Sequence, residues 1–218
     1  MPATYENSVF INCPFDTAYR PLFEAVVFSV YDCGFHPRCA MEGDDSSQVR
    51  IQKITSIIGE CRLAIHDISR TQFDLTHFLP RFNVPFEFGI FVGAKVFGGR
   101  EQRRKACMVF DVDRDRYKTF ISDIAGQDIR EHGHEPETLV RHVRDFLSGH
   151  FPSAVILPGG RALVERYHDF RRQLAASCAE LRLDRDALTF RDLAIMAVGW
   201  IDLNPLPHHA LNGNAVHA

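Results

Sequence analysis

The chain has 218 residues, with 25 Lys and Arg against 28 Asp and Glu, a formal net charge of -3. At 45% hydrophobic and 24% charged residues it can bury a sizeable core, which excludes wholesale disorder, and its length suits one domain or a domain with an extension. The balanced charge argues against a dedicated nucleic-acid or membrane-surface binder.

The N-terminus, MPATYENSVF, lacks the basic start and apolar run of a signal peptide, and no stretch reaches the roughly 18 unbroken apolar residues of a membrane span. The six cysteines show no CxxC pair and sit mostly in apolar segments. They read as free, buried thiols of a cytoplasmic protein, without a disulfide or zinc framework.

Strand and helix patterns alternate through the first 150 residues. Ser8–Cys13 (SVFINC) is a short β-branched and aromatic run stopped by Pro14, and the spacing over Thr17–Cys33 predicts a helix ending at Gly34. Phe35–Met41 suits a second strand. Ser46 and Ser47 are placed to cap a helix in which Val49, Ile51, Ile54, Ile57 and Ile58 repeat at three and four. Cys61–Ile68 and Lys105–Asp111 are further strands. Between them Val84–Phe97 predicts a helix with Pro85 in its first turn, and Glu135–Leu147 predicts another. Such alternation implies parallel strands joined by crossovers in an open, doubly wound α/β sheet. Functional groups in these sheets gather at the carboxyl ends of the strands, here Cys13–Asp16, Met41–Asp45, Asp67–Arg70 and Asp111–Asp115.

The pattern changes after Pro158-Gly159-Gly160. Arg161–Leu183 and Leu188–Leu203 read as two amphipathic helices with no strand between them. The chain therefore divides into an α/β domain over residues 1–155 and a helical extension over 156–218, whose tail from Pro205 has no periodicity.

Three segments carry candidate chemistry. Glu87, in Asn83-Val84-Pro85-Phe86-Glu87-Phe88-Gly89, falls in the first turn of its helix, where the dipole favours a carboxylate and flanking phenylalanines raise its pKa. The plain alternative is a glutamate that satisfies free helix-start amides. Asp67, followed by Ile68-Ser69-Arg70, closes a strand and either faces a ligand or caps a turn. Asn12-Cys13-Pro14-Phe15-Asp16 offers polar contacts from Asn12 and a stacking face from Phe15; the alternative is a turn capped by Asp16. The alternating carboxylates of Asp111–Asp115 and the scattered His132, His134, His142 and His150 lack the context of a metal site.

These motifs, in this order, resemble the nucleoside 2-deoxyribosyltransferase-like N-glycosidases and the related TIR domains. Val9–Phe15 resembles their opening strand and loop, Asp67-Ile68-Ser69 the element closing the third strand, and Phe86-Glu87-Phe88-Gly89 the Glu-hydrophobic-Gly element. The likeness covers about residues 8–112 and leaves the extension unaccounted for. Where the transferase pattern has Asp-Gly-Thr, this chain has Arg81-Phe82-Asn83-Val84-Pro85. The resemblance implies a mainly parallel, flavodoxin-like sheet of about five strands and cleavage of a ribosyl N-glycosidic bond. NAD+ or a related nucleotide or nucleoside would be substrate rather than cofactor, and no metal is implied. Glu87 would be nucleophile or electrostatic stabiliser at C1′, with Asp67 orienting ribose hydroxyls or the leaving base. Asn12, Cys13, Phe15, Ser69, Asn83 and Phe86 would line the substrate. A role in bacterial antiviral defence is implied as well, through homo-oligomeric or activator-dependent assembly. The alternative is a non-catalytic module that binds a nucleotide signal or a protein partner in the same crevice.

Seven of the 18 phenylalanines, Phe73, Phe78, Phe82, Phe86, Phe88, Phe91 and Phe97, lie within 25 residues around Glu87. Phe88 and Phe91 are expected in the core, and the approach from Phe73 to Phe86 is expected to wall a planar base.

Overall fold

A computed structural model describes residues 3–43, 45–71, 73–74, 79–151 and 156–211. Strands β1 (Ser8–Asn12) and β3 (Leu63–Asp67) are continuous runs of buried residues, as strands covered on both faces must be. With β2 (His36–Cys39), β6 (Ala106–Asp111) and the short β7 (Arg130–Glu131) they form an all-parallel, five-stranded sheet in the order β2-β1-β3-β6-β7. A separate antiparallel pair, β4 (Phe73–Asp74) with β5 (Leu79–Pro80), precedes α3 (Asn83–Phe97). The fold is thus the flavodoxin-like, doubly wound α/β class. Pro37 lies in β2, an outermost strand, where a residue without an N–H leaves no ladder bond unmade.

The residues divide into two compact units. One holds β1, β3 to β7, α2 (Arg50–Glu60) and α3; the other holds α1 (Arg20–Asp32), α4 (Pro136–Ser148), α5 (Gly160–Leu181), α6 (Phe190–Leu203) and α7 (Pro207–Leu211).

In the sheet-bearing unit, register aligns Phe10 with Ala64 and Ala64 with Cys107, and this face meets Ile54, Ile57 and Ile58 of α2 and Phe91 of α3. Phe88, three residues before Phe91, joins Ile68, Val109, Tyr117 and Ile129 in a second cluster. Phe88 and Phe91 are both buried, as their spacing predicts. Lys105, also buried, donates to the carbonyls of Ile58 and Cys61, which closes the end of α2. The start of α2 departs from expectation. Val49 occupies the N-cap with no side-chain bond, because Ser47 is held instead by Asp45, whose carboxylate takes both its amide and its hydroxyl.

In the helical unit, α1 is buried on nearly every face. Gly34, at φ +81°, makes the left-handed turn that ends it. Phe28 of α1 stacks on Phe170 of α5 at 4.8 Å and meets Trp200 of α6 edge-on at 5.6 Å. Asp32, at the end of α1 and fully buried, accepts from two guanidinium nitrogens of Arg166, Nε at 2.8 Å and Nη2 at 2.6 Å. His208 and His209 each place Nε2 within 2.8 Å of the Asp32 carbonyl, so α7 interrupts a tail that has no sequence periodicity. Residues 212–218 of that tail lie outside the described residues. Replacing Arg166 with Leu strands a buried carboxylate, and we expect it to lower unfolding free energy by about 3 kcal/mol, read by urea denaturation.

Candidate functional site

The chain leaves β1 toward β2 on one side and returns to β3 on the other, so the sheet order reverses between β1 and β3. A crevice opens at such a reversal, outside the carboxyl ends of the two strands. Asn12 and His66 are register partners there. The Asn12 amide nitrogen lies 3.0 Å from His66 Nδ1 and donates to the Val84 carbonyl, also at 3.0 Å. One buried side chain therefore ties β1, β3 and the start of α3 together. His66 must accept at Nδ1, and burial among Phe10, Phe88 and Phe91 pushes its pKa down to about 3, so it is a neutral part of the scaffold.

Glu87 lies on α3, whose N-cap is Phe82 and whose first residue is Asn83. It belongs to the second turn, not the first as its sequence position suggests, so it is no partner for the free amides of the helix start. It shares a helix stripe with Phe91 and is only 7% exposed. Burial pushes its pKa up to about 7, opposed by the charge of Arg50 at the start of α2. The flanking Phe86 does not enclose it, being 61% exposed.

Asp67 is buried, and its Oδ1 accepts the Ser69 amide at 2.9 Å, the turn-capping arrangement. Its Oδ2 lies 3.2 Å from Nε2 of His132, which follows β7. That contact is short, although its alignment falls short of a straight hydrogen bond. Next to Asp67, at the end of β6, Asp111 is buried too; it accepts from Arg116 Nε at 2.8 Å and from its neighbour's amide, Val112 N–H. Desolvation and the nearby Asp67 charge raise its pKa against the pull of Arg116. Arg116 also donates to the Ile68 carbonyl, clamping the strand ends.

The other expected site residues divide by depth. Asn12, Cys13 and Ser69 are buried, Asn83 is exposed, and Phe15 is 40% exposed. Phe82, four residues before Phe86, is exposed as well. Phe78 and the side chain of Phe73 lie outside the described residues. Asp16 caps the following 3-10 turn through the Tyr19 amide. Sequence reasoning passed over His66, Arg50 and Arg116, and treated His132 only as a scattered histidine. His66 had one signal available, a polar residue inside the otherwise apolar strand expected over Cys61–Ile68; its register with Asn12 emerges only in the fold.

Compared with family models, with characterised proteins and with solved structures, the chain matches none. Among the described residues no helix is long and apolar enough to cross a membrane, and no group of three or more His, Cys, Asp or Glu is placed to hold a metal ion.

The raised Glu87 pKa carries a stability consequence. The folded state holds the proton to about pH 7 and the unfolded chain releases it near 4.5, so wild-type stability falls as pH rises across that window. We expect Glu87→Gln to stabilise the protein by up to about 3 kcal/mol at pH 8 and to have no effect at pH 4, measured by denaturant melts at the two pH values.

Proposed function

We propose that this protein cleaves the N-glycosidic bond of a ribosyl substrate, NAD+ or a related nucleotide or nucleoside, with Glu87 as the carboxylate that meets the anomeric carbon. The observation that carries this reading is the depth of Glu87. A desolvated carboxylate on the helix whose start Asn12 anchors, next in sequence to the exposed Phe86, suits a sugar that becomes cationic next to a flat base.

Such cleavage passes through an oxocarbenium-like state. A carboxylate fixed in a poorly hydrated position gains most as positive charge develops at C1′, because little water screens it and it needs no reorganisation. Glu87 acts in its ionised form, as nucleophile or as stabiliser. With NAD+ and water the products are nicotinamide, ADP-ribose and a proton, and the base departs neutral without a proton from the protein. Phe15 and Phe86 form the wall for the base. Asn12 and Asp67 keep the strand ends and the start of α3 in place beneath the sugar. A cytoplasmic immune role, with activation through assembly, extends the same resemblance.

A second reading, a module that binds a nucleotide signal without cleaving it, is favoured by one feature. Asn12 and Asp67 direct polar atoms to partners inside the protein.

Incubation with NAD+, nucleotides and nucleosides, followed by chromatography of the released base, separates the two. We expect Glu87→Gln to lower release by at least about a hundredfold while nucleotide binding persists. The wild-type kcat/KM should rise about tenfold per pH unit up to about pH 7 and level off above it, since only the carboxylate works. Equal nucleotide binding by wild type and Glu87→Gln, with no base released by either, decides for the signal-binding module.

A further inference from the structure

Helix α3 is apolar on two sides, and the fold covers one of them. Its two charged residues, Glu87 and Lys95, each stand four positions from the buried Phe91 and so share the inner side of the helix. The opposite side carries Phe82, Phe86, Gly89, Gly93, Val96 and Phe97, spaced at three and four. That side stays in water: Phe82 is 56% exposed, Phe86 61%, Val96 55% and Phe97 86%. A helix that is apolar all round is ordinarily buried on every side or spans a membrane. The 15 residues of α3 reach about 23 Å, short of the roughly 30 Å of a bilayer's hydrocarbon core, which leaves burial against protein.

The glycines add a second observation. Glycine weakens a helix interior, yet α3 holds Gly89 and Gly93 in mid-helix, where an added Cβ would meet nothing within 4 Å among the described residues. The fold of one copy makes no use of their small size. They form a shallow strip between bulky ends, on which another backbone can approach closely. The strip also matches itself. From Phe86 through Gly89 and Gly93 to Val96 the intervals are three, four and three residues, the same read from either end. A second α3 turned end for end about the level of Phe91 sets its glycines on the first pair and its Val96 and Phe97 on Phe86, as a two-fold contact requires. The face carries no charge, so two copies with net charge -3 meet there without like-charge repulsion across the contact. The four large side chains leave about 500 Å² of apolar surface in water on each copy. Pairing them removes about 1000 Å², the floor for a specific contact.

We propose that the outer face of α3 is the interface of a homodimer, in which the α3 helices of two copies cross antiparallel over Gly89 and Gly93 and each Phe86 packs against the partner's Phe97. One consequence rests on the hydrolase reading: the partner's Phe97 lies beside Phe86, so the wall for the base is complete only in the pair. The dimer itself does not depend on that reading.

The test uses the full chain. Sedimentation velocity from about 1 to about 100 μM should show a monomer–dimer equilibrium, as a contact at the small end of the size range implies. Gly93→Leu fills the strip at a position open to solvent, and Phe97→Glu places a charge where the two apolar faces meet. Each should raise the dimer dissociation constant at least about tenfold while far-UV circular dichroism stays that of the folded wild type. In a mixture of Gly89→Cys and Gly93→Cys, mild oxidation should join the two variants to each other more than either to itself, which only antiparallel pairing produces. With NAD+ as substrate, base release per mole of protein should climb over the same concentration range, and Phe97→Glu should lower it at least about tenfold. A wild type that stays monomeric at about 100 μM, or a dimer that neither folded variant weakens, overturns the proposal. Adsorption of the monomer to phosphatidylcholine vesicles, with no dimer formed, overturns it in favour of lipid as the occupant. A dimer that forms as described but releases no base upholds the interface and removes the hydrolase reading.

Discussion

The commitment of the Asn12 amide to two partners is the constraint on which the site depends. Parallel strands fix which residues stand side by side, and here the register sets Asn12 opposite His66. The register does not say where a helix that follows β3 begins. Asn12 supplies that information by donating to the Val84 carbonyl, one helical turn before Phe88 and adjacent to the turn that bears Glu87. Because the side chain is buried, leaving these acceptors unpaired costs far more than the bonds would earn in water. The start of α3 is thereby fixed to the sheet at the point where the strand order reverses.

Around that anchor the carboxylates experience different surroundings. Glu87 is desolvated, with the Arg50 charge as the counterweight, and its proton is held to about pH 7. Asp67 has an amide at one oxygen and an imidazole facing the other. Asp111 is bound by Arg116 yet feels the Asp67 charge beside it. Acidic groups whose environments separate their proton affinities are the arrangement from which acid–base and electrostatic roles are drawn. The separation is produced by packing: burial on α3 desolvates Glu87, while the strand ends provide Asp67 and Asp111 with donors.

How far the sequence could be read follows from the range of each interaction. The strands of the sheet core were legible because strands covered on both faces are mainly apolar, and Ser8–Asn12, Leu63–Asp67 and Ala106–Asp111 are such runs closed by polar residues, with His66 the internal exception. The short β7 and the β4–β5 pair are too brief to leave a period. Glu87 was found by its neighbours and its helix start was set to within one residue; that one residue, Asn83 ahead of Val84, carries Glu87 from the first turn into the second. Ser46 and Ser47 misled for a similar reason, a local turn with Asp45 satisfying Ser47 before a cap could form. His132 was invisible as a partner of Asp67, because nothing in a single chain's order reveals which distant turn will arrive at a given strand end.

The phenylalanine excess has two physical origins. On α3, Phe88 and Phe91 fill the sheet-facing clusters and carry Glu87 inward with them. Phe82 and Phe86 stand four residues apart on the same helix, so they lie over one another on an outward face that packing does not require to be aromatic. Large apolar side chains left in water do not share the burial that stabilises the core. Helix α3 thus serves both sides at once. Its inner stripe is buried with the carboxylate, its outer stripe leaves Phe86 in water, and the Asn12 bond to Val84 ties its first turn to β1.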